Sequence, residues 1–311
     1  MRDTAVRGGE AGLRCSVWAV EQAIDPIGSA GCVRGFLVVP WSLPWPADVG
    51  ELEALSGVRA RLDGLGIRIQ ATVPEGDDSP GRLRLYRLPP DGGPRLDRYE
   101  LTATSTDPGD LAEATSALLE SSDPAVPRPP ATELLVCTHG RRDRCCGSAG
   151  TALFEELRDG SDGPLAGVTL CRTSHTGGHR FAPTAILLPD ATLWARLTAE
   201  VVARIVTRVG SIEEVLPHYR GCATLATPRV QALERAVLAE VGWSLFDAPR
   251  WGDEADGRTR LHVRGAAGDI QTWSASVEVA RWSPVPSCGQ PIAASTKSEP
   301  EWRVTDLAQI A

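Results

Sequence analysis

The sequence predicts a mixed α/β (α+β) protein: two similar units in tandem, then a helix and a small antiparallel sheet. Three observations predict it. Apolar runs of strand length alternate with stretches whose apolar residues recur at three- and four-residue spacing. The same order of elements occurs on both sides of a proline-rich segment, Asp123–Pro130. Beyond Ser211 the pattern changes, with a helix followed by alternating runs suited to antiparallel strands.

Taken in order, the first unit opens with the apolar run Val33–Pro40, then a helix-like stretch over Asp48–Leu65 in which Leu52, Leu55, Val58 and Leu62 share a face. Strand-like runs follow at Ile67–Val73, Arg82–Leu88 and Arg98–Ala103, then a helix at Asp110–Glu120 with Asp107 or Asp110 as N-cap. After the linker the order returns. A strand at Glu133–Val136 and a helix over Ser148–Arg158 precede strands at Val168–Arg172, Ala185–Pro189 and Thr192–Trp194, and a helix closes at Leu197–Val209. Both halves read βαβββα, the core order of a thioredoxin-like fold. This gives an N-terminal unit over 1–126 without an evident cysteine pair, a second thioredoxin-like unit over 131–210, and an extension over 211–311 packed on it. In the extension Thr227 and Pro228 start a helix over Pro228–Val241. Strands at Arg260–Val263, Trp273–Trp282 and Trp302–Leu307 flank a Pro/Ser-rich loop between Ser283 and Pro300.

Composition narrows the function. With 42% hydrophobic and 23% charged residues the chain is an ordinary globular protein. A net charge of −8 argues against a nucleic-acid partner. The N-terminal stretch has no apolar core of a signal peptide, and no apolar run spans a membrane. The expected location is therefore cytoplasmic, where clustered cysteines serve metals or redox chemistry more than structural disulfides.

That clustering is pronounced. Four of the eight cysteines and three of the five histidines fall between Cys137 and His179. The stretch Cys137-Thr-His139-Gly-Arg141-Arg142-Asp143-Arg144-Cys145-Cys146-Gly147 follows the first strand of the second unit, and His175-Thr-Gly177-Gly178-His179 follows its next strand. Two strand ends meeting at one sheet edge would join Cys137 and Cys146 to His175 and His179. Cys146 would sit at a helix start that favours a thiolate, and the two glycines would let both imidazoles turn toward one metal. Cys145 stands in for Cys146 as the alternative ligand. Two cysteines and two histidines are also a zinc composition, although the spacings, eight residues between the cysteines and 28 from Cys146 to His175, are not those of classical fingers. Cys137, His139, Cys171 and His175 form a further alternate set with partial Rieske-type spacing. Cys15, Cys32 and Cys222 read as small buried hydrophobes, and Cys288 as a loop residue. His218 and His262 read as surface or hydrogen-bonded structural histidines.

The Cys137–Gly147 stretch, followed by His175-Thr-Gly-Gly-His179-Arg-Phe-Ala, resembles the sucrase/ferredoxin-like proteins, which are thioredoxin-like ferredoxins. Further matching pieces are Arg14-Cys15-Ser16, His218-Tyr219-Arg220-Gly221, Pro228-Arg229-Val230-Gln231 and Ser287-Cys288-Gly289. In the branch with two histidines three residues apart, the resemblance implies a 2Fe–2S cluster held by Cys137, Cys146, His175 and His179.

The activity so implied is one-electron transfer rather than an enzyme reaction on a substrate of its own. Two thiolates and two imidazoles leave such a cluster less negative than four thiolates, so its potential should exceed that of an all-cysteine ferredoxin, and the imidazoles allow proton coupling. Backbone N–H groups of Gly147, Gly177 and Gly178 are expected to donate to sulfur. Arg141, Arg142 and Arg144 form a basic rim for a redox partner protein, a reductase or an acceptor. No Gly-rich dinucleotide fingerprint is present, which points to a separate reductase. A thiol–disulfide oxidoreductase using Cys145, Cys146 or Cys137 is the competing enzyme class, weakened by the lack of Cys-x-x-Cys. No carboxylate pair suits glycoside hydrolysis, whatever the word sucrase suggests.

Overall fold

In the computed structural model, residues 13–74, 81–90, 95–102, 108–124, 131–160 and 163–310 are described. The proposed cap Asp107 and most of the proline-rich linker lie outside them.

The described strands form a nine-stranded mixed sheet and a separate four-stranded antiparallel sheet. After a short helix α1 (Cys15–Glu21), the first half contributes β1 (Gly35–Pro40), α2 (Ser56–Gly64), β2 (Ile67–Thr72), β3 (Arg82–Arg87), β4 (Asp97–Thr102) and α3 (Pro108–Glu120). The second half repeats this as β5 (Glu133–Cys137), α4 (Thr151–Asp159), β6 (Thr169–Thr173), β7 (Ala185–Leu188), β8 (Thr192–Trp194) and α5 (Ala199–Thr207).

The repetition extends to pairing. β1 runs parallel to β2 and antiparallel to β3, which pairs with β4. In the same way β5 runs parallel to β6 and antiparallel to β7, which pairs with β8. The sheet order is therefore β4-β3-β1-β2 followed by its mirror, β6-β5-β7-β8, with β9 (Tyr219–Cys222) added at the far edge. The halves meet where β2 and β6 pair antiparallel through Thr72 and Thr173.

The near-continuous apolar runs are explained by burial on both faces. In β1, Phe36 and Val38 enter the large core of the second half and extension. The intervening Leu37 and Val39 enter the core of the first half, with Val58 and Leu62 of α2 and Leu111 and Leu118 of α3. Fully burying a side chain of this size contributes about 1.5–3 kcal/mol, so the alternation fixes β1 between two layers.

The stretch Asp48–Leu65 is not one helix. Asp48 accepts from Gly50 N–H at 2.8 Å and caps a 3-10 turn at Val49–Glu51. An extended Leu52 interrupts the chain, a second 3-10 turn covers Glu53–Leu55, and α2 follows. Leu52, Leu55, Val58 and Leu62 are buried nonetheless.

In the extension, α6 (Pro228–Val241) starts as expected, with Thr227 accepting from Val230 N–H at 3.3 Å. The small sheet has four strands: β10 (Arg250–Ala255), β11 (Arg258–Arg264), β12 (Ile270–Pro284) and β13 (Ser298–Gln309). The Pro/Ser-rich loop is thus narrower than Ser283–Pro300, because β12 and β13 pair out to Pro284 and Ser298. Among the described residues no helix is long and apolar enough to cross a membrane.

Candidate metal centre

Cys137 is the last residue of β5, and the chain then turns through Gly140 into a π-helical turn at Cys146–Gly150 that continues as α4. Such π turns recur at functional sites. Two glycines make this one possible. A Cβ on Gly150 would lie 1.8 Å from the Cys137 carbonyl oxygen, and one on Gly147 would lie 2.4 Å from Gly140 Cα. Without them the turn could not press against the strand end, and Cys146 would not reach Cys137.

The histidines come from the loop after β6. One ligand atom each from Cys137, Cys146 and His175 lie within 4.8 Å of one another. His175 Nδ1 is 3.9 Å from Cys137 Sγ and 3.7 Å from Cys146 Sγ. Both cysteines are buried, and His175 is half-buried. The hydrogen bond from Cys146 holds the Cys137 thiol well below its usual value against the effect of burial, with His175 adding to it. Donating that bond and being buried push Cys146 up. Of the two sulfurs, Cys137 is thus the one on which negative charge is favoured.

His179 stands beside this group. Its ring centroid is 6.0 Å from that of His175, and its Nδ1 faces Asp143 Oδ2 and Cys15 Sγ, each at 3.3 Å. Asp143 does not pair with the neighbouring arginines but turns inward and is buried. Burial raises its pKa, yet His179 and the N–H groups of Cys145 and Cys288 outweigh that and hold the carboxylate well below its ordinary range.

Other sequence candidates lie in different surroundings. Cys145 belongs to a second group with Cys15, Cys288 and Asp143. Hydrogen bonds from Cys15 and then, beyond burial, from Ser16 and Cys288 bring the Cys145 thiol down to about 5. His139 is buried and meets Trp45 edge-on; its Nδ1 accepts the His175 N–H at 3.3 Å, and burial lowers its pKa. Cys171 lies in the hydrophobic core. The alternate set with Rieske-type spacing is therefore not assembled as ligands. Gly147 gives its N–H to the Asp143 carbonyl at 3.1 Å, which removes it as a donor to sulfur. Gly177 and Gly178 take positive φ of 79° and 64°, making the sharp turn between the histidines.

That turn is held by two arginines to which the sequence pattern assigns no role at the site. Arg220 is buried and donates to the Gly177 carbonyl at 3.1 Å and to Ser29, while Arg68 of β2 donates to the His175 carbonyl at 2.8 Å. Burial lowers both arginines, Arg220 to about 10, partly restored by Cys137. The first half thus reaches the site directly. A cleft of about 280 Å³ beside His175 includes Arg68 and His139 in its walls. Arg141, Arg142 and Arg144 are exposed. His218 and His262 are hydrogen-bonded, to the Ala195 carbonyl and to Asp253 and Thr272. Cys222 is buried, whereas Cys32 is exposed, against expectation, because Val33 and not Cys32 packs toward the core.

The arrangement offers sulfur and imidazole donors with an imidazole-orienting carboxylate, a donor set for a borderline or soft metal. In comparisons with known proteins, the family model described as Sucrase/ferredoxin-like matches residues 33–221, more than half of the chain. No curated protein and no solved structure matches.

Proposed function

From the premise that the chain belongs to the sucrase/ferredoxin-like family, we propose that it is an electron-transfer protein whose Cys137, Cys146, His175 and His179 hold a 2Fe–2S cluster. The observation that carries this reading is the convergence of Cys137, Cys146 and His175 within 4.8 Å, with the His179 ring alongside. The donor chemistry fits, because thiolate and imidazole are both established ligands of such clusters. Bound there, the cluster supplies reversible uptake of one electron at a potential above that of an all-cysteine site.

The chain's own residues set the conditions. Cys146, and then His175, favour the thiolate form of Cys137 against the effect of burial. Asp143 accepts from His179 Nδ1, which fixes the tautomer that leaves Nε2 as a ligand nitrogen. Arg68 and Arg220 fix the histidine loop and place positive charge within reach of the sulfurs, favouring the more negative state. Exposed Arg141, Arg142 and Arg144 suit docking of an acidic reductase or acceptor. The repeated strand order supports reading each half as thioredoxin-like. The competing reading is a zinc ion at Cys137, Cys146 and His175, favoured by the compactness of that three-donor group without His179.

Metal and sulfide analysis of freshly isolated protein, with visible spectra before and after dithionite, tests the proposal. Two irons and two sulfides per chain, with a colour that bleaches on reduction, are expected. Zinc without sulfide, even after anaerobic reconstitution with iron and sulfide, refutes it.

A further inference from the structure

We infer that Cys15, Cys145, Cys288 and Asp143 form a second metal centre, a tetrahedral zinc site of three sulfurs and one carboxylate oxygen, separate from the Cys137–Cys146–His175 group. The three thiols come from distant parts of the chain: α1, the turn before α4, and the loop between β12 and β13. Yet Cys145 Sγ lies 3.0 Å and Cys15 Sγ 3.4 Å from Cys288 Sγ. Asp143 Oδ1 lies 3.2 Å from Cys288 Sγ and 3.5 Å from Cys15 Sγ. All four ligand atoms fall within 4.8 Å of one another.

The distances suit zinc. Bond lengths of about 2.3 Å to sulfur and about 2.0 Å to oxygen put tetrahedral ligand atoms roughly 3.5–3.8 Å apart. Spreading the sulfurs from 3.0 and 3.4 Å by about 0.4–0.8 Å reaches that geometry.

A disulfide explains the cluster less well. Three thiols cannot all pair, and closing any one bond would leave the third unpaired beside a carboxylate. The polar surroundings favour the Cys145 sulfur as an anion, while the Cys15 and Cys288 thiols donate to Asp143 Oδ1 and would give up those protons to a metal. The Ser16 hydroxyl donates to Cys145 Sγ at 3.2 Å, and Cys15 N–H donates to Cys288 Sγ at 3.5 Å. The Cys145 N–H meanwhile orients Asp143 Oδ1 at 2.8 Å. Donors of this kind are the outer shell of a thiolate–metal site.

Cys15 and Cys145 are buried, while half-buried Cys288 gives an entry side. Binding one zinc ion would release to solvent the thiol protons that Cys15 and Cys288 otherwise hold against Asp143. It would also tie both ends of the chain to the turn that carries Cys146, and clips closing such long loops are the ones that constrain the unfolded chain most. Asp143 would serve both centres, Oδ1 toward zinc and Oδ2 toward His179.

Zinc analysis and zinc K-edge absorption on the full chain test this, with iron and sulfide measured on the same sample so that the two centres are judged separately. The expected result is one zinc per chain with three sulfurs and one oxygen. It should be retained in Cys137→Ser/Cys146→Ser and lost in Cys15→Ser and in Cys288→Ser. A zinc with two sulfur neighbours belongs to the other centre and overturns the inference, as does zinc that survives Cys288→Ser. Should the variants fail to fold, the sulfur count in the unmodified chain still decides. An unmodified chain that takes up no zinc into three-sulfur coordination overturns it equally.

Discussion

Gly150→Ala probes the packing on which the Cys137–Cys146 pair depends. Gly150 has helical torsions, φ −68° and ψ −39°, so alanine meets no backbone strain there. Helix propensity alone would favour alanine by about 0.8–1 kcal/mol. Against that, the new Cβ would sit 1.8 Å from the Cys137 carbonyl oxygen and 3.0 Å from its carbon. These are backbone atoms of a central strand and cannot rotate away as a side-chain tip could. Restoring even a 3.0 Å contact moves the turn by about 1.2 Å relative to β5, in an interior packed like a crystal. Overpacking of this kind costs about 1–3 kcal/mol, and a clash with backbone belongs at the upper end. Subtracting the propensity gain leaves a net loss of about 2 kcal/mol. Gly64→Ala, at the end of α2 where an added Cβ meets nothing within 4 Å, is the control and should be neutral or stabilising by up to about 1 kcal/mol. Urea denaturation of both variants reads the difference, and metal content reads the site. Gly150→Ala matching the wild type in urea midpoint and in metal content would refute the idea that close approach of the turn to the strand end builds the site.

Other perturbations separate orientation from structure. Asp143→Ala should weaken iron retention about 10–100-fold in competition with a chelator, as loss of a carboxylate that orients a ligand histidine does; unchanged iron retention would deny Asp143 that role toward His179. Arg220→Met leaves the Gly177 and Ser29 carbonyls without their buried donor, at about 1–3 kcal/mol for each, and urea midpoints should fall accordingly. An unchanged midpoint would show the loop is held otherwise. Burial raises Glu299 and Glu301, but Lys297 and Arg180 outweigh it for the first, and Arg281 and Ser283 for the second, so both carboxyls titrate below their ordinary value. Their contribution to stability is then full above the unfolded-state value near ~4.3 and is lost as pH falls through the lower folded values. Glu301→Gln should flatten that acid limb in denaturation curves taken between about pH 6 and pH 3, and an unaltered slope would contradict the assignment.

Local pattern made much of this molecule readable. The inner strands β1, β5 and β7 carry continuous apolar runs because they are buried on two faces, and Thr227-Pro228 announces α6 through its cap. The reading over-extended the helix before β2, because the apolar spacing of Leu52, Leu55, Val58 and Leu62 is the same whether the chain is one helix or a helix preceded by 3-10 turns. It missed α1, β9 and β10, which are short or exposed and bear little periodic signal. At the site, Cys137, Cys146 and His175 lie near strand or turn ends that the sequence marks. Cys15 and Cys288 do not: they meet across 273 positions of chain, and nothing local to either foretells the other. Arg68 was equally silent, and Arg220 stood out only as part of a family-matching stretch, since a buried arginine looks in sequence like any surface arginine until its carbonyl partners are known.

The seam between the halves is narrow. β2 and β6 pair in register only at Thr72 and Thr173. The remaining links include Ser174 N–H to the Ala71 carbonyl at 2.8 Å, Ala71 N–H to Ser174 Oγ at 3.0 Å, and the Thr173 hydroxyl to Gln70 Oε1 at 3.2 Å. His175 is the next residue. Each half on its own would present an unpaired strand edge there, the kind of edge that recruits another chain. Because the two halves mirror each other in strand order, the edge one half lacks is the edge its neighbour offers. Joined in one polypeptide, they close that edge only at the ends of β2 and β6, beside the histidine loop. Separating the halves would therefore uncover little strand edge, but the histidine loop would lose Arg68, the part of the first half against which it is set.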